Sequence, residues 1–404
     1  MNERLYYADA YLRDFDARVV DCQARQDGPW LLLDQSAFYP TSGGQPHDTG
    51  SLHSGSQVLK VLDVQADKEG RVWHKADKPL PPGDQVQGSI DWTRRFDHMQ
   101  QHGGEHILAG SLYALYKGFV HGLHVSKDSS TIDVTLPGGR TRLGKEEITA
   151  LESLANQRVQ LDAPIRCWFP DPQELSGLPL RKQPTVEDHV RIVAAGDFEM
   201  VACGGTHPAS TGQIGLIKVL DCVPSRGKMR LIFICGMRAI RHYQALFTAA
   251  SEASALLSCP LEALSLAAKH ALDEQALMRG QMSILKAKLA EALLKDIAAQ
   301  SQVLPDGIVL FKAVLEDMDM EGLKAAANAL VSKEGCVALL GAPKEGGFHL
   351  LFARHAQVPK DMSALLRASG AKGGGRPDFA QGSALTADAL GKAASLLIDK
   401  QSLA

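Results

Sequence analysis

The sequence predicts an α+β protein, and three observations carry that reading. Short alternating strands fill the N-terminus, a helical stretch carries histidines at four-residue spacing, and a stretch rich in Ala, Leu, Glu and Lys precedes a final alternation of strands and helices. At 404 residues the chain exceeds the size at which a single core stops growing, so several units are expected. Residues 1–90 hold apolar runs at 17–20, 30–33 and 59–62 between turn clusters such as Asp27-Gly28-Pro29, which predicts a β-barrel-like N-terminal unit. Residues 91–240 predict a mixed α/β unit: a helix over 97–116, a strand at 130–134, a helix over 143–159 and strands at 190–193 and 216–220. Residues 241–300 have the composition of a helical spacer, and residues 301–404 predict a small C-terminal α/β domain.

Composition narrows the function classes. No segment reaches the roughly 20 uninterrupted apolar residues of a membrane helix, and residues 1–13 interleave charges with aromatics, unlike a secretory leader. The seven cysteines are odd in number and irregularly spaced, which fits a reducing cytoplasm better than a disulfide framework. A formal net charge of -3 excludes a globally basic nucleic-acid binder, so any such partner must meet local patches.

The strongest chemical signal is a split set of ligand-type residues. His102-Gly103-Gly104-Glu105-His106 puts two imidazoles on one helix face, and Cys203-Gly204-Gly205-Thr206-His207 offers a thiol and an imidazole at the same spacing. Three nitrogens and one sulfur suit tetrahedral zinc better than calcium or magnesium. The first run also satisfies the H-x-x-E-H pattern of certain zinc peptidases, in which Glu105 would be the general base. Without that role, Glu105 reads as an exposed helical glutamate; His98, one turn before His102, is a competing ligand candidate but reads as a surface or packing residue because four better-spaced donors exist. Two adjacent glycines weaken a helix by about 1 kcal/mol each, so Gly103 and Gly104 need a local reason, such as room for a ligand.

Two glycine-rich runs complete the motifs. In residues 38–50, Gly43 and Gly44 can form a nest of backbone amides for a phosphate or carbonyl oxygen, or a tight turn between strands, and Gln45 adds a donor and an acceptor. Gly373, Gly374, Gly375 and Arg376 follow Arg367 and Lys372, a set that suits either a phosphate backbone or a solvated loop.

Together, Phe38-Tyr39-Pro40 with Gly43-Gly44-Gln45, the His102/His106 pair, Cys203-Gly-Gly-Thr-His207, Gly236-Met237-Arg238-Ala239 and the Gly373–Gly382 run resemble the free-standing alanyl-tRNA editing proteins in their long form. These are similar to the editing and C-terminal domains of alanyl-tRNA synthetase. The resemblance implies that His102, His106, Cys203 and His207 hold Zn2+, and that the reaction removes chiefly serine from mischarged tRNA for alanine, with glycine a further candidate. It also implies that the C-terminal segment helps bind tRNA or form a homodimer. Ser36 stands where the family pocket has threonine, and Ser42 stands where the family often has a third glycine. Ser36 and Gln45 are the residues expected to meet a seryl hydroxyl, because a pocket that hydrogen-bonds a hydroxyl disfavours alanine. A zinc-stabilised RNA-binding module without catalysis is the alternative, since four protein ligands form a closed site.

Overall fold

A computed structural model of the chain describes residues 2–184 and 189–398. The last six residues of the expected C-terminal unit, 399–404, lie outside the described residues. The chain forms two compact units, Met1–Glu252 and Ala253–Ala404.

The first unit begins with a closed six-stranded barrel. Strand Asp14–Arg25 pairs with Gly28–Leu33, which is followed around the barrel by Val72–Ala76, Gln57–Ala66, Gly50–Ser54 and Gln85–Ile90, which returns to the first. Alternation is clear in the first strand, where Phe15, Ala17 and Val19 point inward with Leu31, Leu33, Leu52, Leu59 and Val61 and the residues between them face solvent, while Trp30, Leu32 and Trp73 form a second buried cluster.

Helix Trp92–Tyr116 follows immediately, starting five residues before the expected position because the Asp91 side chain caps it by accepting from the Arg94 amide. Sequence periodicity places one apolar side on this helix, but nearly every residue from His98 to Leu112 is buried, while Leu115 is exposed. A helix buried all round needs partners for its polar residues. Arg95 reaches the segments flanking the barrel strands, where its guanidinium pairs with fully buried Asp48 and donates to the carbonyls of Ala10 and Ala37. Gln101 exchanges two hydrogen bonds with the Cys235 backbone at 3.1 and 3.0 Å, fixing the opposite side to a sheet.

That sheet is antiparallel, in the order Ile217–Ser225, Lys228–Cys235, Ser130–Thr135, Phe119–Val125. A three-stranded sheet, Ile165–Trp168, Ile192–Ala195 and Glu199–Ala202, leads directly into the Cys203 turn. Gly103 and Gly104 serve packing rather than ligand room: a Cβ on Gly104 would lie 2.2 Å from the Cys235 sulfur, and one on Gly103 would press on Ile214 and Pro208.

The second unit carries the long helix Leu264–Ala299 and a six-stranded mixed sheet. Strands Val309–Val314 and Cys336–Lys344 run parallel, joined by helix Met320–Leu330. The Gly373 run is strand Lys372–Arg376, the edge of this sheet, paired with Phe379–Ala384. It is therefore ordered backbone and not a free loop. Gly373 and Gly375 are required by closeness, since a Cβ on either would fall 2.3 Å from a carbonyl oxygen of the partner strand. Among the described residues, no helix is long and apolar enough to cross a membrane.

Breaking the Arg95–Asp48 pair leaves an uncompensated buried charge, at a cost of about 3–5 kcal/mol. Arg95→Ala is expected to lower unfolding free energy in urea by that amount, and a loss under about 1 kcal/mol would show that the helix is held by other contacts.

Candidate metal centre and its cavity

The helix and the Cys203 turn bring four donors together. His102, His106, Cys203 and His207 each offer one ligand atom, and these atoms lie within 4.8 Å of one another. The Cys203 sulfur is 3.3 Å from His102 Nε2 and 3.4 Å from His207 Nε2. Metal–nitrogen bonds of about 2.0–2.1 Å and a metal–sulfur bond of about 2.3 Å set tetrahedral ligand separations of roughly 3.3–3.8 Å, so the set fits. Both nitrogens of His106 and Nδ1 of His207 are buried without a hydrogen-bond partner, which is costly for imidazoles with no further role. Burial holds the pKa of His102 down at about 3 and those of His106 and His207 well below their ordinary value, so all three rings are neutral and ready to ligate. Burial pushes the Cys203 thiol up to about 12, and a divalent cation reverses that by stabilising the thiolate.

Gln45 orients the set. The Thr206 amide (3.3 Å) and His102 Nδ1 (2.8 Å) both donate to Gln45 Oε1, and Gln45 Nε2 donates to Thr206 Oγ1 at 2.8 Å. With its Nδ1 proton spent on Gln45, His102 must present the Nε2 lone pair to the cluster. Arg191 fixes the other half by donating to the carbonyls of Cys203 and Gly205 at 3.1 and 2.8 Å. Gly205 has no alternative, because its Cβ would sit 2.2 Å from a carbon of the His102 ring.

A cavity of about 470 Å³ opens beside the cluster, lined by Tyr39, Gly43, Gly44, Glu105, Arg181 and the ligands His102, His106 and Cys203. Ser42-Gly43-Gly44-Gln45 forms a tight turn with φ of 58° and 83° at the two glycines, and Ser42 and Gln45 exchange backbone bonds across it. Gly44 must be glycine twice over, since a Cβ would collide with the Leu123 carbonyl at 1.8 Å. The Gly43 and Gly44 amides bond to no described residue.

Two sequence assignments change. Neither Ser36 nor Gln45 lines this cavity, and both are already hydrogen-bonded. The buried His74, with its pKa held near 4 by burial, is neutral, donates from Nδ1 to Leu31 O and accepts from the Ser36 hydroxyl at 2.8 Å. Ser36 Oγ in turn accepts from the Phe38 amide. Glu105 is also not an exposed helical glutamate: it is 7% exposed, faces the cavity and lies 3.9 Å from His106 Nε2. Burial, together with nearby Glu199, raises its pKa to about 7 against the opposing Arg181.

Sequence reading missed Tyr39, Arg181, Glu199 and Thr206. Arg181 Nε donates to buried Glu199 at 2.6 Å while its Nη1 is without a partner. Only Thr206, inside the Cys203–His207 run, and Tyr39, beside the glycine turn, stood near a readable motif. Gly373, Gly374, Gly375 and Arg376 belong to the second unit, where exposed Arg376 pairs with Asp378 at 3.3 Å.

A larger cavity of about 960 Å³ shares the wall Lys182, Cys203 and Gly204 and carries Arg4, Tyr7, Phe169 and Arg191. The Tyr7 and Phe169 rings meet edge-on at 5.6 Å, and the Arg191 guanidinium lies 5.2 Å from the Tyr7 ring.

A family model described as tRNA synthetases class II (A) matches residues 7–94, and one described as threonyl and alanyl tRNA synthetase second additional domain matches residues 190–231, which include Cys203 and His207. The alanyl-tRNA editing protein AlaX-L of Pyrococcus horikoshii is 31% identical over 393 residues, covering 95% of this chain and 94% of that protein. The alanine–tRNA ligase of Pyrococcus abyssi is 34% identical over 390 residues, or 94% of this chain and 41% of the ligase. The chain thus spans about two fifths of the length of such ligases. The crystal structure of the C-Ala domain from Aquifex aeolicus alanyl-tRNA synthetase is 22% identical, covering 24% of this chain and 93% of that one, with a TM-score of 0.23.

Replacing Gln45 with Leu should weaken metal binding by about 10- to 100-fold, the usual cost of losing a ligand-orienting partner. Competition with a chromophoric chelator measures this, and unchanged affinity would remove Gln45 from its orienting role.

Proposed function

Because the chain belongs to the alanyl-tRNA editing family, we propose that it hydrolyses, in trans, the ester joining a wrong amino acid, chiefly serine and also glycine, to tRNA for alanine. The observation that carries this reading is the cavity of about 470 Å³ with a four-donor centre in its wall, which suits an aminoacyl group beside a metal ion. A synthetase pocket cannot strongly reject serine, a near-isostere of alanine, so hydrolysis at a second site is the chemical remedy.

His102, His106, Cys203 and His207 would hold zinc, which when bound supplies either polarisation of an oxygen and a more acidic water or, with four protein ligands, a fixed pocket. The chain's own groups account for the rest. The free amides of Gly43 and Gly44 suit the charge that develops on the ester oxygen as water adds to the carbonyl carbon. Glu105 is the carboxyl group in reach to take the proton of that water and return it to the ribose hydroxyl as the ester C–O bond breaks. Ser36 and Gln45 act behind the cavity, so the seryl hydroxyl falls to Tyr39, whose own O–H donates to Ser42 O and leaves its oxygen free to accept. The adjoining cavity with Tyr7, Phe169, Arg4 and Arg191 suits the terminal nucleoside, with rings for a base and cations for phosphate.

In the second unit, the edge strand holding Gly373, Gly374, Gly375 and Arg376 supports a tRNA-binding role, through backbone groups left open at a sheet edge. Exposed Leu272, Leu277, Met278 and Leu285 on the long helix support pairing with a second copy as a homodimer. Charged tRNA as substrate makes the cytoplasm the expected place of action.

Incubation of the purified chain with Ser-tRNA and Ala-tRNA of the alanine isoacceptor tests the reading. Serine should be lost at least about a hundredfold faster, and equal rates would sink it. Glu105→Gln should lower kcat by about 100- to 10,000-fold with zinc content retained. Cleavage of unstructured peptides, abolished by the same change, would instead make the protein a peptidase.

A further inference from the structure

A third cavity, of about 750 Å³, lies on the N-terminal turns of the ligand helix and takes no part in the chemistry above. Its apolar wall is Trp92 and Phe96, stacked with centroids 5.5 Å apart and rings 29° from parallel, with the Arg13 guanidinium 4.3 Å from the Trp92 ring centroid. Its two carboxylates are already committed. Asp91 caps the helix, and Asp97 receives a bidentate contact from Arg238 at 2.9 and 2.7 Å. Arg238 itself is buried and also donates to the Ser126 carbonyl, so this residue of the Gly236-Met237-Arg238-Ala239 motif serves to shape the wall. The cations that remain are Arg94, Lys127 and Arg241, none of which has a carboxylate partner among the described residues, although Arg94 Nε donates to the His47 carbonyl at 2.9 Å.

His98 completes the cavity. It is 4% exposed, lines the space, and its Nδ1 has no hydrogen-bond partner. Burial, and then Arg94, hold its pKa down at about 4, so the ring is neutral and offers one donor and one acceptor. Its place one turn before His102 marks it as a ligand candidate, yet it is absent from the four-donor cluster. Unpaired cations, an aromatic wall and a neutral imidazole together match a phosphate, a base and a base edge or 2′-hydroxyl.

We propose that this cavity is a second RNA-contact site, which takes one unpaired nucleotide of the tRNA with its phosphate against Arg94, Lys127 and Arg241 and its polar edge against His98. The pocket rests on its own geometry, and the choice of RNA rests on the editing reading. A formal net charge of -3 makes such a local patch necessary for any anionic partner. The site would anchor the RNA apart from the ester, on the turns of the same helix that precede His102.

Binding of uncharged tRNA for alanine to the full chain, by filter retention over a salt series, tests this without reading hydrolysis. Arg241→Glu, on the protein surface, should raise Kd about tenfold and make the log Kd against log salt slope shallower by about one. His98→Ala should raise Kd several-fold at unchanged slope. Lys145→Glu, at an exposed lysine outside the cavity, controls for net charge and should stay within twofold. Unchanged Kd in both cavity variants, with wild-type melting curves, overturns the proposal, as does an equal loss in Lys145→Glu. Micromolar adenosine monophosphate that shifts the His98 ring signals in NMR while displacing no tRNA would reassign the pocket to a free nucleotide and overturn the RNA role. Failure of the serine assay leaves this binding result standing, and failure here leaves the serine assay standing, so the two readings fall separately.

Discussion

The hydrogen bonds of one buried amide, Gln45, carry the organisation of the site. Its oxygen accepts from His102 Nδ1 and from the Thr206 amide, and its nitrogen donates to the Thr206 hydroxyl. Three segments distant in sequence, a barrel loop, a helix and a turn, are thereby fixed around one point. Each partner gains a definite state: His102 is confined to one tautomer, and the Cys203–His207 turn is set at the height of the helix ligands. A hydrocarbon side chain at position 45 would leave these buried polar groups unpaired, so the loop sequence and the four-donor cluster are one physical problem.

The constraint extends outward through the central helix. Because that helix is buried on all sides, its polar residues must be satisfied by whatever surrounds them, and each such contact also fixes its rotation. Arg95 with Asp48 sets the helix against the barrel, and Gln101 with the Cys235 backbone sets it against the sheet. Rotation fixed from two sides is what aims His102 and His106 at the Cys203 turn. The close approach that this needs explains Gly104 against Cys235 and Gly205 against the His102 ring. The glycines cost helix stability and return proximity.

Much of this was legible in the sequence wherever the chemistry depends on spacing along one element. The four-residue separations of His102/His106 and Cys203/His207 follow from helix and turn geometry, and the barrel strands follow from alternation around Phe15, Ala17 and Val19. What was not legible depends on which element packs against which. Ser36 has a hydroxyl suited to a substrate, but His74 claims it from a neighbouring strand. Glu105 looks like an exposed helical residue because nothing local reports that the helix is surrounded. Arg181 and Glu199 form a buried pair between segments with no shared motif. The Gly373 run has the composition of a flexible loop, and only its pairing with Phe379–Ala384 makes it an edge strand.

The proposed hydrolysis requires the metal that His102, His106, Cys203 and His207 would hold. Single-turnover loss of serine from tRNA for alanine, measured on chelator-stripped chain during stepwise return of zinc, tests it most directly. The account predicts that activity rises in proportion to bound metal and saturates at one ion per chain. A folded, metal-free chain that removes serine at the full rate would contradict it.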